Sequence, residues 1–95
     1  MAEMRQESAQ VLAIRALGWI AARDDVFQAF LGATGAGVAE LRARAQDPEF
    51  LCAVLDFLLM QDEWVIEFAQ EAGVPPAAPL QARAVLGGGD MAHWT

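Results

Sequence analysis

The fold of this protein is decided by the stretch Asp47-Pro-Glu-Phe-Leu-Cys-Ala-Val-Leu-Asp-Phe-Leu-Leu-Met60. It predicts a helix with a defined start, because Asp47 can accept hydrogen bonds from free backbone N–H groups and Pro48 suits the first helical position. On a helical wheel its apolar side chains fill an arc of roughly 220°. Since so apolar a helix must be enclosed by other helices, we expect it at the centre of the fold.

The composition outside this stretch also favours helices. The chain has 95 residues, of which 56% are hydrophobic, and it contains no Tyr and no Lys. Runs of β-branched residues and alternating apolar and polar residues are both missing, so strands are not expected. We predict an all-α compact bundle of five to six helices, formed by a single domain over residues 1–86, with a Gly-rich C-terminal tail over residues 87–95.

Caps and glycines divide the chain into helices on either side of the central stretch. We expect the helices over residues 3–23, 24–32, 37–45, 47–61, 62–73 and 76–86. Asp24 or Asp25 is predicted to cap the second helix, and Asp62 the fifth. Val38 and Leu80 are predicted to face the core from the two short helices.

The two halves of the chain resemble each other when one is shifted by 38 residues. Asp24-Asp25 then meets Asp62-Glu63, Phe30 meets Phe68, and Gly35 meets Gly73. A period of this length is typical of helical repeats. One interpretation is two three-helix pseudo-repeats that pack about a pseudo-twofold axis. The other is that caps and glycines recur in any helical protein.

The repeated residues also carry a resemblance to a known family. The residues in question are Trp19, Asp24–Gly35, Leu41-Arg-Ala-Arg-Ala45, Asp47-Pro-Glu-Phe-Leu51, Val54-Leu-Asp-Phe-Leu-Leu59, Asp62-Glu63 and Phe68 to Gly73. This combination resembles the domain-of-unknown-function family 3572, over about residues 5–86. The resemblance implies a short, single-domain protein of the kind found chiefly in alphaproteobacteria. It implies no activity, cofactor or catalytic residue.

The charge of the chain disfavours two classes of partner. The formal net charge is −7, and the six Arg are dispersed along the sequence. An acidic protein repels both phosphate backbones and anionic membrane surfaces, so we expect neither nucleic acid nor membrane as a partner. The N-terminus lacks the order of a secretory signal, and the single Cys52 fits a reducing compartment, so we expect a cytoplasmic protein.

The residues needed for catalysis are scarce and scattered. His93 is the one histidine and lies in the tail, Ser8 lies at a polar helix start, and Cys52 lies in the apolar arc of the central helix. Nucleophilic catalysis needs a nucleophile beside a base, and a metal site needs three or four converging ligands. We therefore predict a protein that is not an enzyme and holds no cofactor or metal.

Aromatic and acidic residues on the fifth helix suggest a binding surface instead. Glu63, Glu67 and Glu71 follow one another at intervals of four, which places their carboxylates on one face. Trp19, Trp64 and Phe68 complete the candidate interaction surface. The alternatives are a solvated acidic stripe and tryptophans that belong to the core.

Asp56 interrupts the apolar arc of the central helix. If it is buried it needs a partner, and Arg15 on the pseudo-equivalent helix is the candidate for a structural ion pair. The alternative is that Asp56 lies on an exposed strip.

The first helix has more apolar residues than its neighbours are expected to cover, which favours an interface. We therefore expect a non-enzymatic protein-interaction or regulatory module, with an unidentified protein partner or self-association as a homodimer. The alternative is a carboxylate-based protein that binds a small ligand or a divalent metal.

Overall fold

The computed structural model describes residues 4–87 and confirms the all-α class. Its helices are α1 (Gln6–Ala21), α2 (Asp24–Thr34), α3 (Val38–Arg44), α4 (Pro48–Leu58), α5 (Asp62–Ala72) and α6 (Ala78–Leu86). No strand occurs within the described range. Apart from Gly87, the predicted tail lies outside it, as does the expectation for His93.

Helix α4 begins as its sequence predicts. The Asp47 side chain accepts a hydrogen bond from the backbone N–H of Glu49 at 3.0 Å, and Pro48 occupies the first turn. The predicted apolar face is buried, with Leu51, Val54, Leu55 and Leu58 fully enclosed. Helix α4 therefore lies at the centre of the core.

The predicted caps of α2 and α5 are wrong, because both helices begin earlier than the predicted cap residues imply. Arg23 and Gln61 occupy the N-cap positions, and neither side chain makes a capping hydrogen bond within the described chain. Asp24 and Asp62 instead lie in the first turn, where a carboxylate favours the positive end of the helix dipole.

The core is formed chiefly by α1, α4 and α6, which all pack against one another, while α2 and α5 lie against α1. The inner face of α1 is buried and rich in small residues, which allows close approach of the neighbouring helices. Its members are Ala9, Leu12, Ala13, Ala16, Trp19 and Ile20.

The repeat of 38 residues holds locally and does not extend to the packing. Helices α2 and α5 have equal lengths, and Gly35 and Gly73 after them have φ angles of 71° and 72°. In the repeat, α4 corresponds to α1 and α6 to α3, so the extensive contact of α1 with α6 should recur between α4 and α3. No contact of that extent occurs there. The described helices therefore do not pack as two equivalent halves about a pseudo-twofold axis.

Two side chains that were predicted to face inward point outward instead. Val38 on α3 is 58% exposed, and Leu80 on α6 is also exposed. In α3 the core position is taken by Leu41, and in α6 by Ala82 and Leu86. The outward position of Val38 leaves an apolar side chain beside α1.

Candidate docking surface

A second apolar face runs along the outside of α1, opposite the core. We define this outer stripe as Val11, Ile14, Gly18 and Ala21, which follow one another at intervals of three, four and three residues. Val11 is 57% exposed and Ile14 42% exposed, and Gly18 and Ala21 are also exposed. This is the spacing of a helix–helix seam. The surplus of apolar residues on α1 is thus partly uncovered.

Beside the outer stripe lies a shallow groove of about 330 Å³ between α1, α2 and α3. We call it the apolar groove, and it is lined by Ile14, Leu17, Gly18, Ala21, Phe27, Val38, Leu41, Arg42 and Ala45. The one charged residue lining it, within residues 4–87, is Arg42. A concave apolar surface with a single polar group at its wall is the form of a site that accepts an amphipathic helix.

The charges beside this surface are unpaired within the described part of the chain. Arg42 makes no ion pair or hydrogen bond there, whereas its neighbour Arg44 lies 3.8 Å from a Glu40 oxygen and 3.5 Å from an Asp47 oxygen. Glu7, one turn before Val11 on the exposed side of α1, likewise makes no such contact within residues 4–87. Both groups are therefore available to a partner.

The predicted interaction surface on α5 is largely occupied by the protein itself. Phe68 is only 2% exposed and meets the buried Trp19 ring edge-on at 6.3 Å between centroids. The Arg23 guanidinium lies 4.4 Å from the Trp19 ring centroid and forms ion pairs with Glu67 and Glu71. Trp19 and Phe68 are therefore core residues, and the two carboxylates are partly neutralised within the chain.

The other two members of that predicted surface do not join this cluster. Trp64 is half-buried and stacks on Phe57 of α4 at 4.9 Å between ring centroids. Glu63 is exposed and makes no ion pair within residues 4–87. The six residues hence do not form one continuous docking face.

The predicted ion pair between Arg15 and Asp56 does not form. Asp56 is exposed and accepts a hydrogen bond from the Arg83 Nε at 2.7 Å, which joins α4 to α6. The Arg15 Nη2 donates to the Ala72 carbonyl oxygen at 2.9 Å, at the end of α5. The reason is packing: α6 lies beside the polar edge of α4, while Arg15 faces α5.

A larger groove, of about 760 Å³, lies between the first half of α1 and the segment that joins α5 to α6. Its size suits a small molecule. Among residues 4–87, the carboxylate that lines it is that of Glu7, and the cation is that of Arg15, which already donates to a carbonyl oxygen. No three metal-ligating side chains converge anywhere in residues 4–87. Within residues 4–87, this groove therefore brings together fewer carboxylates than a divalent-metal site uses.

Cys52 is half-buried on α4 and lines a third depression together with Asp56 and Arg83. Within residues 4–87, no helix has the length and apolar character to cross a membrane.

Sequence reasoning missed three residues of the outer surface, namely Ile14, Val38 and Arg42. The intervals between Val11, Ile14, Gly18 and Ala21 carry the signal, since they describe a second stripe on α1. The prediction attributed the apolar excess to the helix as a whole and did not separate its two faces.

Comparisons with known proteins agree with the resemblance stated above. A family profile described as "Protein of unknown function (DUF3572)" matches residues 6–89, which is most of the chain. No curated protein gives a significant match, and no solved structure does. This chain belongs to the DUF3572 family.

Proposed function

We propose that this protein is a non-enzymatic, cytoplasmic interaction module that binds an amphipathic helix in the apolar groove. The observation that carries the proposal is the outer stripe of α1, whose apolar residues face solvent at the spacing of a helix–helix seam. The occupant has two properties: an apolar face that fills the groove, and an acidic side chain that reaches Arg42.

The apolar part of the proposal rests on burial. Val11, Ile14 and Val38 are each more than two-fifths exposed, and covering them removes apolar area from water at about 25 cal/mol per Å². Gly18 and Ala21 have little or no side chain, so a partner helix can approach the α1 backbone closely. A helix that presents Leu or Ile side chains supplies the matching ridge.

The charge part of the proposal rests on Arg42. The protein as a whole carries a charge of −7 and repels acidic partners at long range. At the groove, however, the one lining charge within residues 4–87 is a cation that makes no ion pair there. A partner with a carboxylate near its apolar face satisfies this cation, whereas a lysine at the same place meets a like charge.

A pair of synthetic helical peptides tests this function. Both peptides carry the same leucine stripe, which is flanked by Glu in one and by Lys in the other. Each peptide is titrated into the isotope-labelled protein at a concentration where the protein is monomeric. We expect NMR shifts at Ile14, Gly18 and Val38. Arg42→Glu should weaken binding of the Glu peptide by roughly fivefold relative to the Lys peptide, as for an exposed ion pair.

A matched pair of variants identifies the surface. Ile14→Glu places a charge in the groove and should abolish peptide binding. Ile66→Glu makes the same change at a site on α5 that is 49% exposed, and should leave binding unchanged. The proposal is wrong if both variants bind like the wild type, or if the shifts cluster away from α1 and α3.

A further inference from the structure

We infer that the helix that occupies the apolar groove is α1 of a second copy of this chain, in a two-fold symmetric, antiparallel dimer. The inference rests on the proposed function, because it names the partner of the same groove. It is carried by the shape of the outer stripe and by the two unpaired charges beside it.

The outer stripe is complementary to itself when one copy is turned end for end. Its N-terminal half projects, since Val11 and Ile14 are exposed β-branched side chains. Its C-terminal half is low, since Gly18 and Ala21 have little or no side chain and a Cβ built at Gly18 meets nothing within 4 Å. We call Val11 and Ile14 the ridge and Gly18 and Ala21 the low half. In an antiparallel dimer, the ridge of each α1 lies over the low half of the other. A two-fold interface requires this kind of self-complementarity.

The charges have the same symmetry. Glu7 lies one turn before the ridge, and Arg42 lines the groove beside the low half. Reversing one helix brings the Glu7 end of each copy toward the Arg42 side of its partner. Each dimer then contains the Glu7–Arg42 pair twice, which offsets part of the repulsion between two chains of charge −7.

A stable dimer interface needs more buried area than the outer stripe supplies, so the walls of the apolar groove also contribute to the contact. A typical dimer buries about 800 Å² on each protomer, which is more than the four residues of the outer stripe provide. Val38, 58% exposed on the facing wall, and the half-buried Phe27 add the apolar area that α1 alone does not supply. The contact therefore spans α1, α2 and α3.

Sedimentation velocity on the full chain tests the inference, from micromolar to near-millimolar concentration. We expect a monomer–dimer equilibrium. Glu7→Arg and Arg42→Glu should each raise the dissociation constant about tenfold, because each change affects both symmetric pairs. The double variant Glu7→Arg/Arg42→Glu reverses both charges and should restore the wild-type constant. Glu63→Arg, which changes the net charge as Glu7→Arg does at an exposed site on α5, should leave it unchanged.

The possible outcomes separate this inference from the function on which it rests. A chain that is monomeric throughout, or single variants that dimerise like the wild type, would overturn the dimer. If the groove still binds the Glu-flanked peptide in that case, the docking function stands and its partner is another protein. If the double variant fails to recover dimerisation while both single variants weaken it, the Glu7–Arg42 pairing is wrong.

Discussion

The two faces of α1 are both apolar and have opposite environments. The inner face holds Ala9, Ala13, Ala16 and Ile20 with no exposed surface, enclosed mainly by α4 and α6. The outer face holds Val11, Ile14, Gly18 and Ala21 and is open to solvent. Apolar character alone therefore does not identify the core of this helix. The position of the neighbouring helices decides which stripe is buried and which is left for a partner.

The largest expected difference between the faces comes from one substitution made on each. Ile20→Ala removes a fully buried side chain and should lower the free energy of unfolding by about 2–5 kcal/mol, since it leaves a cavity. Ile14→Ala removes a side chain that is 42% exposed and should cost less than about 1 kcal/mol. Urea unfolding at a concentration where the protein is monomeric measures both. Equal losses would contradict the assignment of the two faces.

A smaller effect, with the opposite sign, is expected at Gly18. A methyl group added there meets no atom within 4 Å, so Gly18→Ala should stabilise the monomer by about 1 kcal/mol through helix propensity. Gly35→Ala provides the control, because its surroundings are equally open but its φ is 71°, and it should instead destabilise by roughly 1 kcal/mol. Thermal unfolding of the two variants distinguishes them. A loss of stability in Gly18→Ala would mean that the outer stripe is covered within the monomer.

Much of the fold could be predicted because its signals are local. Asp47 and Pro48 mark the start of α4 without reference to any other helix, and Gly35 and Gly73 end α2 and α5 in the left-handed conformation that glycine favours. The buried face of α4 follows from the spacing of its apolar residues.

The pairing of helices could not be predicted in this way. Asp56 meets Arg83 because α6 lies beside α4, and no spacing within α4 specifies which helix lies there. Phe68 follows Trp64 at an interval suited to a docking face and to a core face alike. Its burial and its contact with Trp19 show that it belongs to the core. The candidate docking surface was missed for the same reason, because it includes the face of α1 that α4 and α6 do not cover.

The smallest expected effect on the monomer occurs at Val11, and it tests the comparison most directly. Val11→Thr keeps the branched shape and exchanges one methyl for a hydroxyl at a side chain that is 57% exposed. The free energy of unfolding should change by less than about 0.5 kcal/mol, as for ordinary surface substitutions. Peptide binding and dimerisation should weaken nevertheless, because an interface that covers Val11 has to bury the hydroxyl without a partner. Titration and sedimentation measure those losses beside urea unfolding. If Val11→Thr left peptide binding and dimerisation unchanged, the outer face of α1 would be ordinary exposed surface. The seam-like spacing of its apolar residues would then not reflect contact with a partner helix.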